Sequence, residues 1–263
     1  TVSDVSFDED GSGSTSLSGN DIDGDSLEFS ITGGSDITAA LDGSSVSFSA
    51  PANYNGSESF TVTVTDGELA DSQSITVTVN AVNDAPVANA ASAETSEDQD
   101  IVISLSGSDV DGDALSFTLD SDAVNGSVVI DGSFATYTPD ANYNGDDSFT
   151  FSVSDGEYSS SADVSISISA VNDAPTLATV SDVSFDEDGF GSTDLSADDV
   201  DGDSLEFSIT GGSDIIAVLD GTSVSFSAPA NYNGSETFTV SVSDGELEDS
   251  QSITVTVNAV NDA

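Results

Sequence analysis

Nearly all the side chains in this sequence that could do chemistry are carboxylates, and they come in groups. Four acidic motifs recur. Glu9-Asp10 is matched by Glu97-Asp98 and Glu187-Asp188, and Asp21-Ile22-Asp23-Gly24-Asp25 by residues 109–113 and 199–203. Asp66-Gly67-Glu68 returns at Asp155 to Glu157 and at Asp244 to Glu246, and Asn83-Asp84 at Asn172-Asp173 and Asn261-Asp262. Hard carboxylate and carbonyl oxygens with no His or Cys among them are calcium ligands by type. Catalysis has much less to work with. Without His, Lys, Arg or Cys, a Ser nucleophile lacks its usual base, and only carboxylate pairs of the glycosidase kind remain. Such pairs would occur three times over in small domains with no evident cleft, so the chain is not expected to be an enzyme. The Asp-x-Asp-Gly-Asp loop is not an EF-hand, which needs Gly after the third acidic residue and Glu at the twelfth position. Ser26 and Thr32 stand there. The β-roll nonapeptide is absent as well.

The charge balance points the same way. Among 263 residues, 50 are Asp or Glu and none is Lys, Arg or His, for a formal charge of −50. Repulsion on that scale has to be met by spacing, by screening or by bound cations. Calcium is the expected partner, and screening by Na⁺ in a high-salt setting is the other way to meet the charge. The charge excludes affinity for nucleic acid and disfavours anionic membranes. No apolar run is long enough to insert into a bilayer. The absence of Cys excludes disulfides and zinc–thiolate sites. The start, Thr1-Val2-Ser3, has neither a basic n-region nor an apolar h-region, as expected of an excised or mature segment. Hydrophobic residues make up 36% of the chain and alternate regularly, which argues against disorder.

The motifs must be positioned by repeated elements. Asn-Tyr-Asn-Gly begins at Asn53, Asn142 and Asn231, and Val-Asn-Asp-Ala at Val82, Val171 and Val260, a period of about 89 residues. Three units follow, 1–86, 87–175 and 176–263. Ser181 to Gly189 repeats Ser3 to Gly11 residue for residue, whereas the middle unit diverges, an A-B-A order that suggests part of a longer array. Stretches such as Ser59-Phe60-Thr61-Val62-Thr63-Val64 have the period-two pattern of half-buried antiparallel strands. With Val2–Phe7, Thr15–Leu17, Leu27–Ile31, Ile37–Leu41, Val46–Ser49 and Ser74–Val79, they predict seven strands per unit. The expected fold is all-β: three tandem seven-stranded Greek-key sandwiches of Ig or cadherin-like type in an elongated array, each spanning about 40 Å. Tyr54, Tyr143 and Tyr232 read as packed corner tyrosines in preference to sugar platforms. The Asn-Gly-Ser triplets at Asn55, Asn125 and Asn233 are given no function.

The combination Asp-x-Asp-Gly-Asp, Asn-Tyr-Asn-Gly, Ser-Asp-Gly-Glu and Val-Asn-Asp-Ala-Pro resembles the bacterial cadherin-like tandem repeats of large surface adhesins, over all three units. The resemblance implies calcium between successive domains. Carried over, the first junction would use Glu9, Asp66, Glu68, Asn83 and Asp84 with Asp109, Asp111 and Asp113 of the next unit. The second would use Glu97, Asp155, Glu157, Asn172 and Asp173 with Asp199, Asp201 and Asp203. The linker Asn80-Ala81-Val82-Asn83-Asp84-Ala85-Pro86 is poorer in ligands than animal cadherin linkers, so fewer ions per junction are expected. The implied role is a calcium-rigidified spacer at the cell surface or outside the cell, acting in adhesion, with calcium and neighbouring repeats as partners. Two other readings stand beside it: direct binding of a host-surface glycan or protein, and self-association into filaments through strand edges.

Overall fold

The structure, a computed structural model, describes residues 2–261. Among these residues it contains strands and no helix. Repeat 1 holds β1 (Val5–Asp8), β2 (Ser12–Ser16), β3 (Glu28–Gly33), β4 (Thr38–Asp42), β5 (Ser45–Ser49), β6 (Gly56–Thr65) and β7 (Ala70–Asn80). Repeat 2 opens with β8 (Val87–Asn89), β9 (Ala91–Ser96), β10 (Ile101–Ser104) and β11 (Ser106–Ser108). It continues through β12 (Ser116–Ser121), β13 (Gly126–Asp131), β14 (Phe134–Pro139), β15 (Gly145–Ser154) and β16 (Ser159–Ser169). Repeat 3 follows the same plan with β17 (Thr176–Leu177), β18 (Val183–Asp186), β19 (Phe190–Asp194), β20 (Ala197–Asp198) and β21 (Glu206–Gly211). Its last strands are β22 (Ile216–Asp220), β23 (Ser223–Ser227), β24 (Gly234–Ser243) and β25 (Glu248–Asn258).

Each repeat is two facing sheets, in repeat 1 β1-β7-β6-β3 against β2-β5-β4. Alternation makes them. In β5 the residues Val46 and Phe48 point inward while Ser45, Ser47 and Ser49 face solvent, so one face of the strand is apolar and the other polar. Every repeat has its own core, with Phe48 and Phe60 packed edge to face at 5.3 Å across the sheets of repeat 1 and Phe226 and Phe238 likewise at 5.3 Å in repeat 3. Tyr54, Tyr143 and Tyr232 all pack against these cores, as expected of corner tyrosines.

Two features depart from the expected seven antiparallel strands. The first strand pairs in parallel with the last, Val5 opposite Val77 and Asp8 opposite Asn80, and β9 with β16 and β18 with β25 do the same. A first and last strand running the same way bring the chain in at one end of a repeat and out at the other. Linkers therefore lie between repeats. Repeats 2 and 3 also add a short strand just after the linker, β8 on β11 and β17 on β20.

Repeat 2 replaces an internal pair. Where repeats 1 and 3 have Phe48 with Glu58 and Phe226 with Glu236, it has Tyr137 with Asp147. The shorter acid is reached by the longer ring: the Tyr137 hydroxyl donates to Asp147 Oδ2 at 3.0 Å inside the sandwich. Burial, then this bond, pushes the Tyr137 phenol well above its usual range. Tyr137→Phe should lower the stability of the chain's middle transition by about 1–2 kcal/mol, because Asp147 is buried and would lose its only side-chain donor. Urea unfolding with an unchanged m-value would show it.

Candidate metal centres at the repeat junctions

The bottom of each repeat is built around a glutamate that follows the first strand. Pairing of β1 with β7 ends at Asp8 and Asn80, and the Glu9 N–H then donates to the Asn80 carbonyl at 3.0 Å. This sets Glu9 beside the exit of the last strand. Glu9 Oε1 accepts the linker N–H of Val82 at 2.6 Å, Glu97 Oε1 that of Val171 at 2.5 Å, and Glu187 Oε1 that of Val260 at 2.5 Å. Next to each glutamate, Asp10, Asp98 and Asp188 adopt a left-handed backbone and accept from the Asn53, Asn142 and Asn231 N–H groups. The Asn-Tyr-Asn-Gly motif therefore clamps the Glu-Asp loop. In repeat 2 its Asn144 side chain also reaches Glu97 Oε2 at 3.4 Å.

The top of each repeat carries the other two motifs. The register places Ser116 opposite Ser154, so the Asp109 to Asp113 loop and the Asp155-Gly156-Glu157 turn lie at the same end of repeat 2. Asp109 Oδ1 accepts the N–H groups of Asp111 and Asp113, which curls the loop around the side chain, and Gly112 takes the positive φ of 82° that the curl requires. Asp21 does the same for Asp23, Gly24 and Asp25, and Asp199 for Asp203. Each first aspartate thus spends one oxygen on its own loop and leaves the other available.

Linker residues close the two ends together. The Asp84 N–H donates to Asp111 Oδ2 at 2.8 Å, and Asn83 Nδ2 donates to Asp155 Oδ2 at 2.9 Å. At the second junction Asp173 N–H meets Asp201 Oδ2 at 2.8 Å and Asn172 Nδ2 meets Asp244 Oδ2 at 2.9 Å. Pro86 and Pro175 are buried at the linker ends.

These contacts regroup the expected ligands. Asp66 and Glu68 lie at the top of repeat 1, away from the first junction, where Asp155 and Glu157 are found instead; the second junction has Asp244 and Glu246 in place of Asp155 and Glu157. The reason is the length of the last strand. From the Asp-Gly-Glu turn, β7 runs eleven residues to the linker, about 33 Å at roughly 3.3 Å per residue, so turn and linker sit at opposite ends. Glu157 is exposed, and Asp155 already has both oxygens engaged, Oδ1 by the Glu157 and Tyr158 N–H groups and Oδ2 by Asn83. Its role is to hold the linker. Glu9, Asn83, Asp84, Asp109 and Asp111 do come together at the first junction, and Glu97, Asn172, Asp173, Asp199 and Asp201 at the second. Asp113 lies within 4.8 Å of Asp109 and Asp111 through carboxylate oxygens, and exposed Asp203 is tied to the Asp199 loop.

The electrostatics of the two clusters are alike. Burial, then the carboxylates of Asp111, Asp10, Glu9 and Asp109, raise the pKa of Asp84; burial, then Asp201, Asp98, Glu97 and Asp199, raise that of Asp173. Five buried carboxylate oxygens have no hydrogen-bond donor among the described residues: Glu9 Oε2, Asp84 Oδ2, Asp109 Oδ2, Asp173 Oδ2 and Asp199 Oδ2. All five belong to the two junctions. Glu9 is 7% exposed and Glu97 2%, while Glu187 is partly open.

The fold and its acidic junctions define a class, tandem β-sandwich repeats that meet end to end through carboxylate-lined linkers. The profile of a family described as bacterial Ig domain matches residues 1–80, 83–167 and 172–258, and the chain belongs to that family. No curated protein sequence is similar to it at a significant level. Among solved structures, mouse protocadherin-24 EC1-3 superposes with a TM-score of 0.51 at 15% identity, over 88% of this chain and 90% of that one. PcdhgB3 EC1-4 gives 0.55 at 15% identity, over 89% and 67%. These are likenesses of fold, and they agree with the cadherin-like resemblance. An endo-fucoidan hydrolase of glycoside hydrolase family 107 is also similar, at 21% identity and a TM-score of 0.33. This chain covers 90% of its own length there but only 39% of the hydrolase.

Proposed function

We propose that each junction binds calcium, and that the bound ion turns three self-repelling sandwiches into a stiff, non-catalytic spacer outside the cell, of the kind that serves adhesion. The unpaired carboxylate oxygens carry this reading. A buried carboxylate with no donor is costly unless something positive sits against it, and this chain has no cationic side chain to supply. Ligand oxygens of Glu97, Asp173 and Asp201 lie within 4.8 Å of one another, which fits a shared ion with oxygens at about 2.3–2.6 Å. Glu9, Asp84, Asp109 and Asp111 would hold the first ion, and Glu97, Asp173, Asp199 and Asp201 the second. The calcium supplies positive charge; the chain supplies the cage, with Asn83 and Asn172 fixing the linker and the Asn-Tyr-Asn-Gly loops fixing the glutamates. We take the mechanical units as 1–86, 87–175 and 176–263. Extracellular modules of this kind bind calcium at about 10⁻⁴ to 10⁻³ M, so stiffness would depend on an extracellular calcium level.

Small-angle X-ray scattering in EDTA, in 1–10 mM CaCl₂ and in NaCl of matched ionic strength tests the proposal. Calcium should lengthen the particle and narrow its range of dimensions beyond what matched NaCl achieves. Identical profiles in calcium and NaCl would remove the metal assignment and leave an acidic spacer governed by screening alone.

A further inference from the structure

Residues 1–85 and 179–263 are one sequence but for twelve positions, and four of the twelve fall on a single face. Ser12, Ser16, Thr38 and Ala40 of repeat 1 correspond to Phe190, Asp194, Ile216 and Val218 of repeat 3. All four lie on the outward side of the smaller sheet, β19-β23-β22, where alternation turns Val224 and Phe226 into the core and Ser223, Ser225 and Ser227 to solvent. The larger sheet keeps its polar exterior. Between β6 and β24 the three differences, Ser59/Thr237, Thr63/Ser241 and Thr65/Ser243, exchange one hydroxyl for another.

Strand register sets the pattern of the face. Ser227 lies between Phe190 and Ile216 in one row, Ser225 between Ser192 and Val218 in the next, and Ser223 between Asp194 and Asp220 in the third. Phe190 is 78% exposed, Ile216 59% and Val218 56%. In repeat 1 the row of Phe190 reads Ser12, Ser49 and Thr38. Asp214, two residues before Ile216 and also exposed, closes the other end. An apolar patch is thus bracketed by carboxylates, with Asp194 and Asp220 at one end and Asp214 at the other. The six residues from Asp214 to Asp220 span about 20 Å.

Single apolar side chains on a surface carry no message, but a group of them rimmed by charge marks a contact surface. A second copy of this chain is a poor occupant, because it would set carboxylates against carboxylates on molecules of charge −50. Repeat 2 turns Val129 and Phe134 outward on its own smaller sheet, yet Asn125 stands at the place of Asp214 and leaves the bracket open.

We propose that the outer face of β19-β23-β22 in repeat 3 binds an extended, cation-flanked apolar segment of another protein. Its large apolar side chains cover Phe190, Ile216 and Val218, and a Lys or Arg at each end answers Asp214 on one side and Asp194 with Asp220 on the other. This chain has no Lys, Arg or His, so those cations come from a different protein. None of the residues belongs to a junction cluster, and the binding stands apart from the calcium reading.

The test is a titration of the ¹⁵N-labelled full chain with the synthetic peptide Lys-Thr-Phe-Thr-Val-Thr-Lys, whose alternate residues reproduce the spacing of the face. The control peptide Lys-Thr-Ser-Thr-Ser-Thr-Lys has the same charge. Both are added at about 0.15 M NaCl, where surface charges more than about 8 Å apart are screened. Saturable amide shifts largest in β19, β22 and β23 are expected, with the Phe-Val peptide bound at least about tenfold more tightly than the control. That preference should vanish in the variant Phe190→Ser, Ile216→Thr, Val218→Ala, which keeps a foldable sheet because repeat 1 carries these residues on the same scaffold. Absence of saturation, equal binding of the two peptides, equal binding by parent and variant, or shifts of the same size in repeat 1 would overturn the proposal. A sedimenting mass of two chains that falls to one in the variant would give the face to a second copy and overturn it as well.

Discussion

In 10 mM calcium the chain should melt about 6–20 °C higher than in EDTA with NaCl of matched ionic strength. For sites with dissociation constants of about 10⁻⁴ to 10⁻³ M, this concentration is roughly 10 to 100 times the constant, worth about 1.4–2.7 kcal/mol per junction. For domains of under 100 residues, one kcal/mol moves the midpoint by about 4–8 °C. Matched NaCl removes the contribution of screening, which acts on every carboxylate and not only on the clustered ones. Glu97→Gln sharpens the result. The amide oxygen can still accept from Val171 N–H, but a charge and a ligand oxygen are lost beside Asp173 and Asp201. In EDTA this variant should melt no lower than the parent, because it relieves repulsion with Asp173. In calcium it should lose the gain of the second junction, and isothermal titration should count about half the tight sites. Glu9→Gln should do the same at the first junction. A parent protein whose melting is identical in calcium and in matched NaCl would defeat the metal reading outright.

The second large effect concerns three acids away from the junctions. Glu58 receives the Ser35 hydroxyl at 2.6 Å and the N–H groups of Ser35, Asp36 and Ile37; Glu236 is held the same way by residues 213–215. The Ser35 hydroxyl first, then the backbone donors, hold Glu58 at a pKa of about 2, and backbone donors led by that of Asp214 hold Glu236 at about 2. In repeat 2, burial opposes ionisation of Asp147, yet N–H donors from Ser148, Asn125 and Val124 and the Tyr137 hydroxyl keep its pKa low.

A folded-state pKa below the unfolded value of about 4.3 gives stability that is complete above the unfolded pKa. That stability drains away as pH falls toward 2. Overall repulsion works in the opposite sense, since acidification lowers the chain's net negative charge of 50. The two are separated by comparison with Glu58→Gln, whose amide NH₂ would face backbone donors. At pH 7 the variant should be less stable by about 1–2 kcal/mol, and the gap should close between about pH 4.5 and pH 2. Chemical denaturation across that range measures it. A gap that stays constant with pH would mean the carboxylate charge is not what organises the 34–37 turn.

Much of this protein is written in local sequence. The alternation of Val, Ile and Phe with Ser and Thr specifies strands because a pleated chain puts neighbours on opposite faces, and the period of the motifs specifies three units. The residue types call for cations from outside the chain, by ligation or by screening, because its carboxylates have no Lys, Arg or His to answer them. Three things needed the tertiary structure. The partner of each Asp-Gly-Glu turn depends on which end of an eleven-residue strand faces the linker, and spacing along the chain does not record direction in space. The role of Asn-Tyr-Asn-Gly emerged only when Asn53 was seen to donate to Asp10, two residues far apart in sequence and adjacent at one end of the sandwich. The strands β8 and β17 are too short to carry a period of their own. They exist because Gly107 and Ala197 offer an edge to pair with, which is a property of the folded repeat.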